Sequence, residues 1–183
     1  MLQEEFDVAV LERLFNCLFS DSEKTLLCSG AEEPIYLPAQ PPEIFNKIIS
    51  TKDYFSSALH EISHWCVAGK LRRKQVDYGY WYEPDGRTAE QQRLFEQVEV
   101  KPQALEWIFS QAAGVPFRLS VDNVNQPELG ASEVFKINVH AQVLDYLSSG
   151  LPSRANVFLN ALLAHYQPKV THLSVSSFQL SML

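Results

Sequence analysis

The chain has 183 residues, 46% of them hydrophobic and 20% charged, which fits one packed domain with a core of its own and excludes wholesale disorder. Fifteen Lys and Arg against 22 Asp and Glu leave a formal charge of −7, which opposes any general grip on nucleic acid or an anionic membrane. Three widely spaced cysteines, Cys17, Cys28 and Cys66, suggest reduced thiols, and an acidic start with no long apolar run suggests a cytoplasmic protein without signal peptide or membrane span.

In chain order, Glu4 to Phe19 carries Phe6, Val10, Leu11, Leu14, Phe15 and Leu18 at helical spacing and is predicted to form an amphipathic helix. Short β-prone stretches follow at Thr25 to Cys28, Ile35 to Leu37 and Asn46 to Ile49, punctuated by Gly30 and four prolines. A second helix is expected from Lys52 or Asp53, carrying Tyr54, Phe55, Ala58, Leu59, Ile62 and Trp65, with Gly69 as its C-terminal cap. Val76 to Tyr82 reads as extended, and Pro84-Asp85-Gly86 as a turn. Thr88 opens a long helix, with a kink expected near Val98 because of Pro102. Phe117 to Val121 is expected as a further strand, Ser132 to Leu147 and Ser153 to Tyr166 as closing helices, and the Ser-rich tail as frayed. The class is α+β: a mostly helical single domain, residues 1–183, with a small sheet.

The chemistry concentrates in His60-Glu61-Ile62-Ser63-His64, an H-E-x-x-H element on the second helix. Residues four apart on a helix share a face, so both imidazoles can reach one metal ion. Such a site needs a third protein ligand, and a carboxylate is the natural completion. With Phe95, Val98 and Leu105 taken as the core direction, Glu96 points away, whereas Glu99 lies at the edge of the stripe and can turn inward. Glu106, beyond Pro102, ranks second, and Asp77, Glu83 and Asp85 rank third. Two His and one carboxylate suit a catalytic zinc, with Glu61 as general base of a peptidase or amidase in a zincin-like helix arrangement. They suit an Fe(II) facial triad equally well.

The neighbourhood of the motif is more specific. His60 to Cys66, Ala68-Gly69-Lys70, Arg72-Arg73, Val76 to Tyr82, Pro84 to Arg87, Phe95 to Ala104, Asp122-Asn123 and Val139 to Leu147, with Glu33 to Pro38 before the motif, together resemble the elongation factor P hydroxylase family. The likeness spans roughly residues 30 to 150. It implies a cytosolic enzyme that hydroxylates a lysine side chain of elongation factor P after a β-lysyl group has been attached. It further implies His60, His64 and Glu99 as metal ligands, Fe(II) as the metal and dioxygen as co-substrate. The H-x-D motif of oxoglutarate-dependent oxygenases is missing, so oxoglutarate is not expected.

Other residues carry weaker signals. Glu61 projects about 100° from His60 around the helix, where it either supports the metal site and handles a proton or serves a structural role. Tyr78, Tyr80 and Tyr82 fall on one face of a strand, where they either pack or form a wall for a cationic aliphatic side chain whose ammonium Asp77 or Glu83 would pair. Lys70, Arg72, Arg73 and Lys74 are cations that either complement the negative end of the motif helix or dock an acidic partner. His140, on an apolar helix face, is a candidate support for the metal site, with a hydrogen-bonded core residue as the plainer reading. His165 and His172 are expected to be structural or exposed.

Overall fold

The computed structural model describes residues 6–78, 87–121 and 131–183. The predicted helices and the first three strands form in the expected order. Helix α1 (Val8–Phe19) precedes strands β1 (Thr25–Ala31), β2 (Ile35–Leu37) and β3 (Asn46–Thr51). Helices α2 (Phe55–Val67), α3 (Ala89–Ala113), α4 (Glu133–Ser149) and α5 (Ser153–Tyr166) follow. β3 is central in the sheet, parallel to β1 and antiparallel to β2. The free edge of β2 is extended by a bridge in which Tyr36 and Asp77 exchange both backbone hydrogen bonds, at 2.7 and 3.0 Å. That bridge carries the chain from the end of α2 back over the sheet.

Apolar side chains from α1, the sheet, α2, α3, α4 and α5 converge on one core. At its centre Trp65 meets Phe15 at 5.0 Å and Phe19 at 4.9 Å between ring centroids, and Phe158 of α5 packs on Phe15 at 6.1 Å. Burying aromatic side chains of this size contributes about 1.5–3 kcal/mol each, so the motif helix is seated by some of the strongest packing in the molecule.

α3 starts as predicted at Thr88, whose hydroxyl accepts from Gln91 N while the Gln91 side chain accepts from Thr88 N. It then runs without interruption through Pro102 to a left-handed Gly114, where the missing Cβ permits φ 77°.

Four local expectations change. Val98 is 51% exposed and Glu96 is buried, so the inward face of α3 is rotated from the predicted one and runs through Gln92, Phe95, Glu96, Glu99, Gln103 and Glu106. Glu96 accepts from the backbone N and the hydroxyl of Ser132, fixing the start of α4. Residues 117–121 form no strand: Gln103 bonds both the N–H and the C=O of Ser120, and Arg87 and Gln92 donate to Val121 O. Side chains satisfy backbone groups that a neighbouring strand would otherwise have to pair.

Gly69 is not the cap of α2. The helix ends at an extended Ala68, and Arg154 at the start of α5 donates one Nη2 to the carbonyls of Trp65, Cys66 and Ala68 at 2.8, 3.2 and 2.7 Å. Finally, the tail is not frayed at Phe178, which is buried against Trp107 with ring centroids 5.3 Å apart.

Candidate metal centre

His60 and His64 lie one turn apart on α2, and α3 packs against that face and brings in Glu99. Glu99 has 1% of its surface exposed. His60 Nε2 and His64 Nε2 are 3.1 Å apart; Glu99 Oε1 is 3.2 Å from His64 Nε2, and Oε2 is 3.7 Å from His60 Nε2. Donors bonded at about 2.1 Å to a single ion stand about 3.0–3.4 Å apart for right-angle to tetrahedral geometry; two of the three separations fall in that range and the third is about 0.3 Å wider, so the group is close to the spacing of one metal ion. Among the described residues, His60, His64 and Glu99 are the one group of three or more His, Cys, Asp or Glu side chains so arranged.

The charge pattern is coherent with that use. Burial would raise the Glu99 carboxyl, but His64, its hydrogen bond, His60 and Gln103 outweigh this and bring the pKa to about 2. Burial would lower His60, yet Glu106, Glu99 and Glu61 outweigh it and lift the imidazole to about 10. His64 is raised as well, with burial overcome chiefly by Glu99. In the metal-free chain, protons on the imidazoles occupy the place where a cation would neutralise Glu99. The Glu99 carboxylate is further held by Gln103 Nε2 at 3.1 Å, itself anchored to Ser120. Sequence reasoning passed over Gln103, although its i+4 relation to Glu99 places it on the same face.

Glu106, ranked second as third ligand, lies across the His60 ring instead, with Oε2 2.7 Å from Nδ1. Glu61 is buried and lines a cleft next to His64. Burial pushes its carboxyl above the ordinary range, against the pull of His60 and His64 and with added repulsion from Glu99 and Asp77. Tyr36, Ile48 and Trp65 form the apolar part of the cleft lining.

Asp77, Arg72 and Arg73 also line this cleft. Arg72 pairs with Asp77, and Arg73 with Glu23 at 2.8 Å, so two of the four clustered cations are engaged within the chain, while Lys70 and Lys74 are exposed. The helix end that this cluster was expected to complement is held by Arg154. Tyr78 is half-exposed; Tyr80, Tyr82, Glu83 and Asp85 lie outside the described residues. His140 hydrogen-bonds the Phe178 carbonyl at 3.1 Å and stands against Trp107, which matches the plainer reading of a hydrogen-bonded packing residue. His165 and His172 are exposed.

All three cysteines are free, and burial pushes Cys66 up to about 12, so it is a thiol within the core. No helix among the described residues is long and apolar enough to cross a membrane.

Fold and site together define a helical α+β domain with a two-His, one-carboxylate centre suited to a divalent metal, next to a cleft that His64 also lines. Comparison with known proteins narrows this class. The family model described as elongation factor P hydroxylase (EpmC) matches residues 14–178. A Haemophilus influenzae protein named elongation factor P lysine hydroxylase is 52% identical over 153 residues, covering 84% of this chain and 85% of that relative. The chain belongs to the elongation factor P hydroxylase family.

Proposed function

We propose that this protein hydroxylates a lysine side chain of elongation factor P, the residue extended by a β-lysyl group, with an Fe(II) ion held by His60, His64 and Glu99. The observation that carries the reading is the meeting of three donor atoms from two helices at metal-ligand spacing beside a cleft, in a chain of this family. Three protein ligands on one side leave the remaining positions of an ion open. Iron(II) bound there would supply activation of dioxygen, one oxygen atom entering a C–H bond and the other leaving as water with two electrons from an external reductant.

The chain's own residues account for binding and orientation. The cleft beside His64, bordered by Tyr36 and Ala68 over the buried Trp65 and Ile48, would receive the methylenes of an extended lysine. Asp77, paired with Arg72, brings a carboxylate to the cleft wall within reach of an ammonium group, beside Arg73. The raised pKa of Glu61 fits it to hold a proton beside His64. Lys70 and Lys74 at the exposed rim would meet an acidic face of the partner protein, giving a local attraction on a chain whose total charge is −7.

The test incubates the purified protein with Fe(II), a reductant such as ascorbate, dioxygen and β-lysylated elongation factor P. The expected result is a gain of one oxygen atom on the modified lysine, seen by mass spectrometry. An unchanged mass, under conditions where the Haemophilus influenzae relative converts the same substrate, would refute the reading.

A further inference from the structure

An imidazole has two nitrogens, and at His60 they face different partners. Nε2 is turned to His64 Nε2 and Glu99 Oε2 at 3.1 and 3.7 Å, whereas Nδ1 lies 2.7 Å from Glu106 Oε2. Glu106 is seven residues beyond Glu99 on α3, two turns and about 10 Å along the axis, so the two carboxylates share one face of the helix and bracket the His60 ring. Glu106 is 7% exposed. A buried carboxylate at this distance accepts a hydrogen bond from Nδ1–H, so that in the neutral ring a metal requires the lone pair lies on Nε2. The same contact prevents Glu106 from serving as a ligand to an ion on Nε2, because the ring stands between them.

We propose that Glu106 is a positioning residue of the metal centre: it takes the Nδ1–H of His60, fixes the rotation and tautomer of the ring, and presents Nε2 as an unprotonated donor beside His64 and Glu99. This rests on the triad holding a metal and does not depend on which reaction the metal serves. The principle is general, since the outer hydrogen bond of a metal-bound histidine sets its orientation and basicity. Here α3 supplies one ligand, Glu99, together with two side chains that aim ligands, Gln103 for Glu99 and Glu106 for His60.

The test uses Zn(II) as a diamagnetic probe on the full chain, with Glu106→Gln and Glu106→Ala beside the wild type. Affinity is read by chelator competition, and the His60 Nδ1–H by proton–nitrogen NMR of the zinc-loaded protein. The wild type should show a slowly exchanging Nδ1–H. Glu106→Ala should lose that resonance and bind zinc about 10- to 100-fold more weakly. Glu106→Gln keeps the shape and an acceptor oxygen without the charge, and should fall between the two.

A merely structural Glu106 would lower the melting temperature of the metal-free chain and leave zinc affinity and the imidazole resonance unchanged. Affinity within twofold of wild type in Glu106→Gln and in any folded Glu106→Ala, or an Nδ1–H signal that survives in the alanine variant, overturns the proposal. Failure of the wild type itself to bind zinc would instead overturn the assignment of the triad.

Discussion

Arg154 pins the end of α2, the helix that carries His60 and His64, and replacing it with Met tests how that helix is held. One Nη2 donates to the carbonyls of Trp65 and Ala68 at 2.8 and 2.7 Å, with Cys66 O as a weaker third acceptor at 3.2 Å, and the guanidinium carbon stands 4.6 Å from the centre of the Trp65 ring. Two charge-assisted hydrogen bonds contribute about 1.5 kcal/mol each at the low end, and a half-buried cation–π contact adds about 1 kcal/mol. Two effects offset this sum. Burial and the neighbouring Arg73 both act against the charge of Arg154, lowering its pKa, and Met keeps most of the packing of the aliphatic stem.

The expected net loss is about 2–3 kcal/mol, which for a chain of this size lowers the melting temperature by about 4–12 °C. Thermal denaturation of the metal-free chain, followed by circular dichroism, measures it. Arg154→Lys should recover only part of the loss, because an ammonium cannot both stack flat on Trp65 and fork to two carbonyls. A shift smaller than about 1 °C for Arg154→Met would refute the assignment of Arg154 as the cap of α2.

Substituting Ala for His60, His64 or Glu99 should abolish metal retention and hydroxylation together; metal content after desalting checks this, and a Glu99 variant that keeps its metal would move the third ligand elsewhere. The pH dependence of the metal-free chain follows from the same cluster. His60, lifted from 6.5 to about 10, stabilises the fold fully below pH 6.5 and loses that contribution as pH rises towards 10. Glu99, lowered from 4.5 to about 2, stabilises it above pH 4.5 and loses that contribution as pH falls towards 2. These two groups therefore favour the metal-free fold most between about pH 4.5 and 6.5, whereas metal affinity should increase with pH as the His60 proton becomes easier to displace. Urea titrations and metal titrations across pH 4 to 9, roughly, would measure both trends. Reversing Lys70 and Lys74 to Glu should slow association with elongation factor P about tenfold at low salt and leave metal content unchanged, as read by stopped-flow binding.

The parts of this molecule that were legible in the sequence are those governed by local periodicity and capping. Thr88 with Gln91, Ser132 before α4 and the alternation around Ile35 to Leu37 mark their elements directly, and the four-residue spacing of His60 and His64 puts them on one face whatever the rest of the chain does. Glu99 was within reach because its angle on α3 borders the apolar stripe.

Partners brought together by tertiary packing were not legible. Arg154 reaches the end of α2 from 86 to 89 residues away, and nothing local to Gly69 signals that. Val98 misled the choice of core direction because the inward face of α3 is lined with Glu and Gln; a helix that buries a polar network shows weak amphipathicity, and its hydrophobic stripe is then a poor compass. Residues 117–121 have strand-like side chains, but their backbone partners are the side chains of Gln103, Arg87 and Gln92. For Glu106, rank by position along the helix was less informative than the two-turn spacing from Glu99, which places both carboxylates against the same histidine.

The central claim is that one metal ion on His60, His64 and Glu99 drives oxygen insertion into a lysine of elongation factor P. The most direct measurement titrates metal-free protein with Fe(II) in the presence of dioxygen, excess reductant and β-lysylated elongation factor P, following bound iron and substrate mass in the same samples, for the wild type and Glu99→Ala. The account predicts that the oxygenated product appears in proportion to iron bound, saturating at one ion per chain, and that Glu99→Ala shows neither. Hydroxylation by the Glu99 variant, or by wild-type protein stripped of metal, would contradict it.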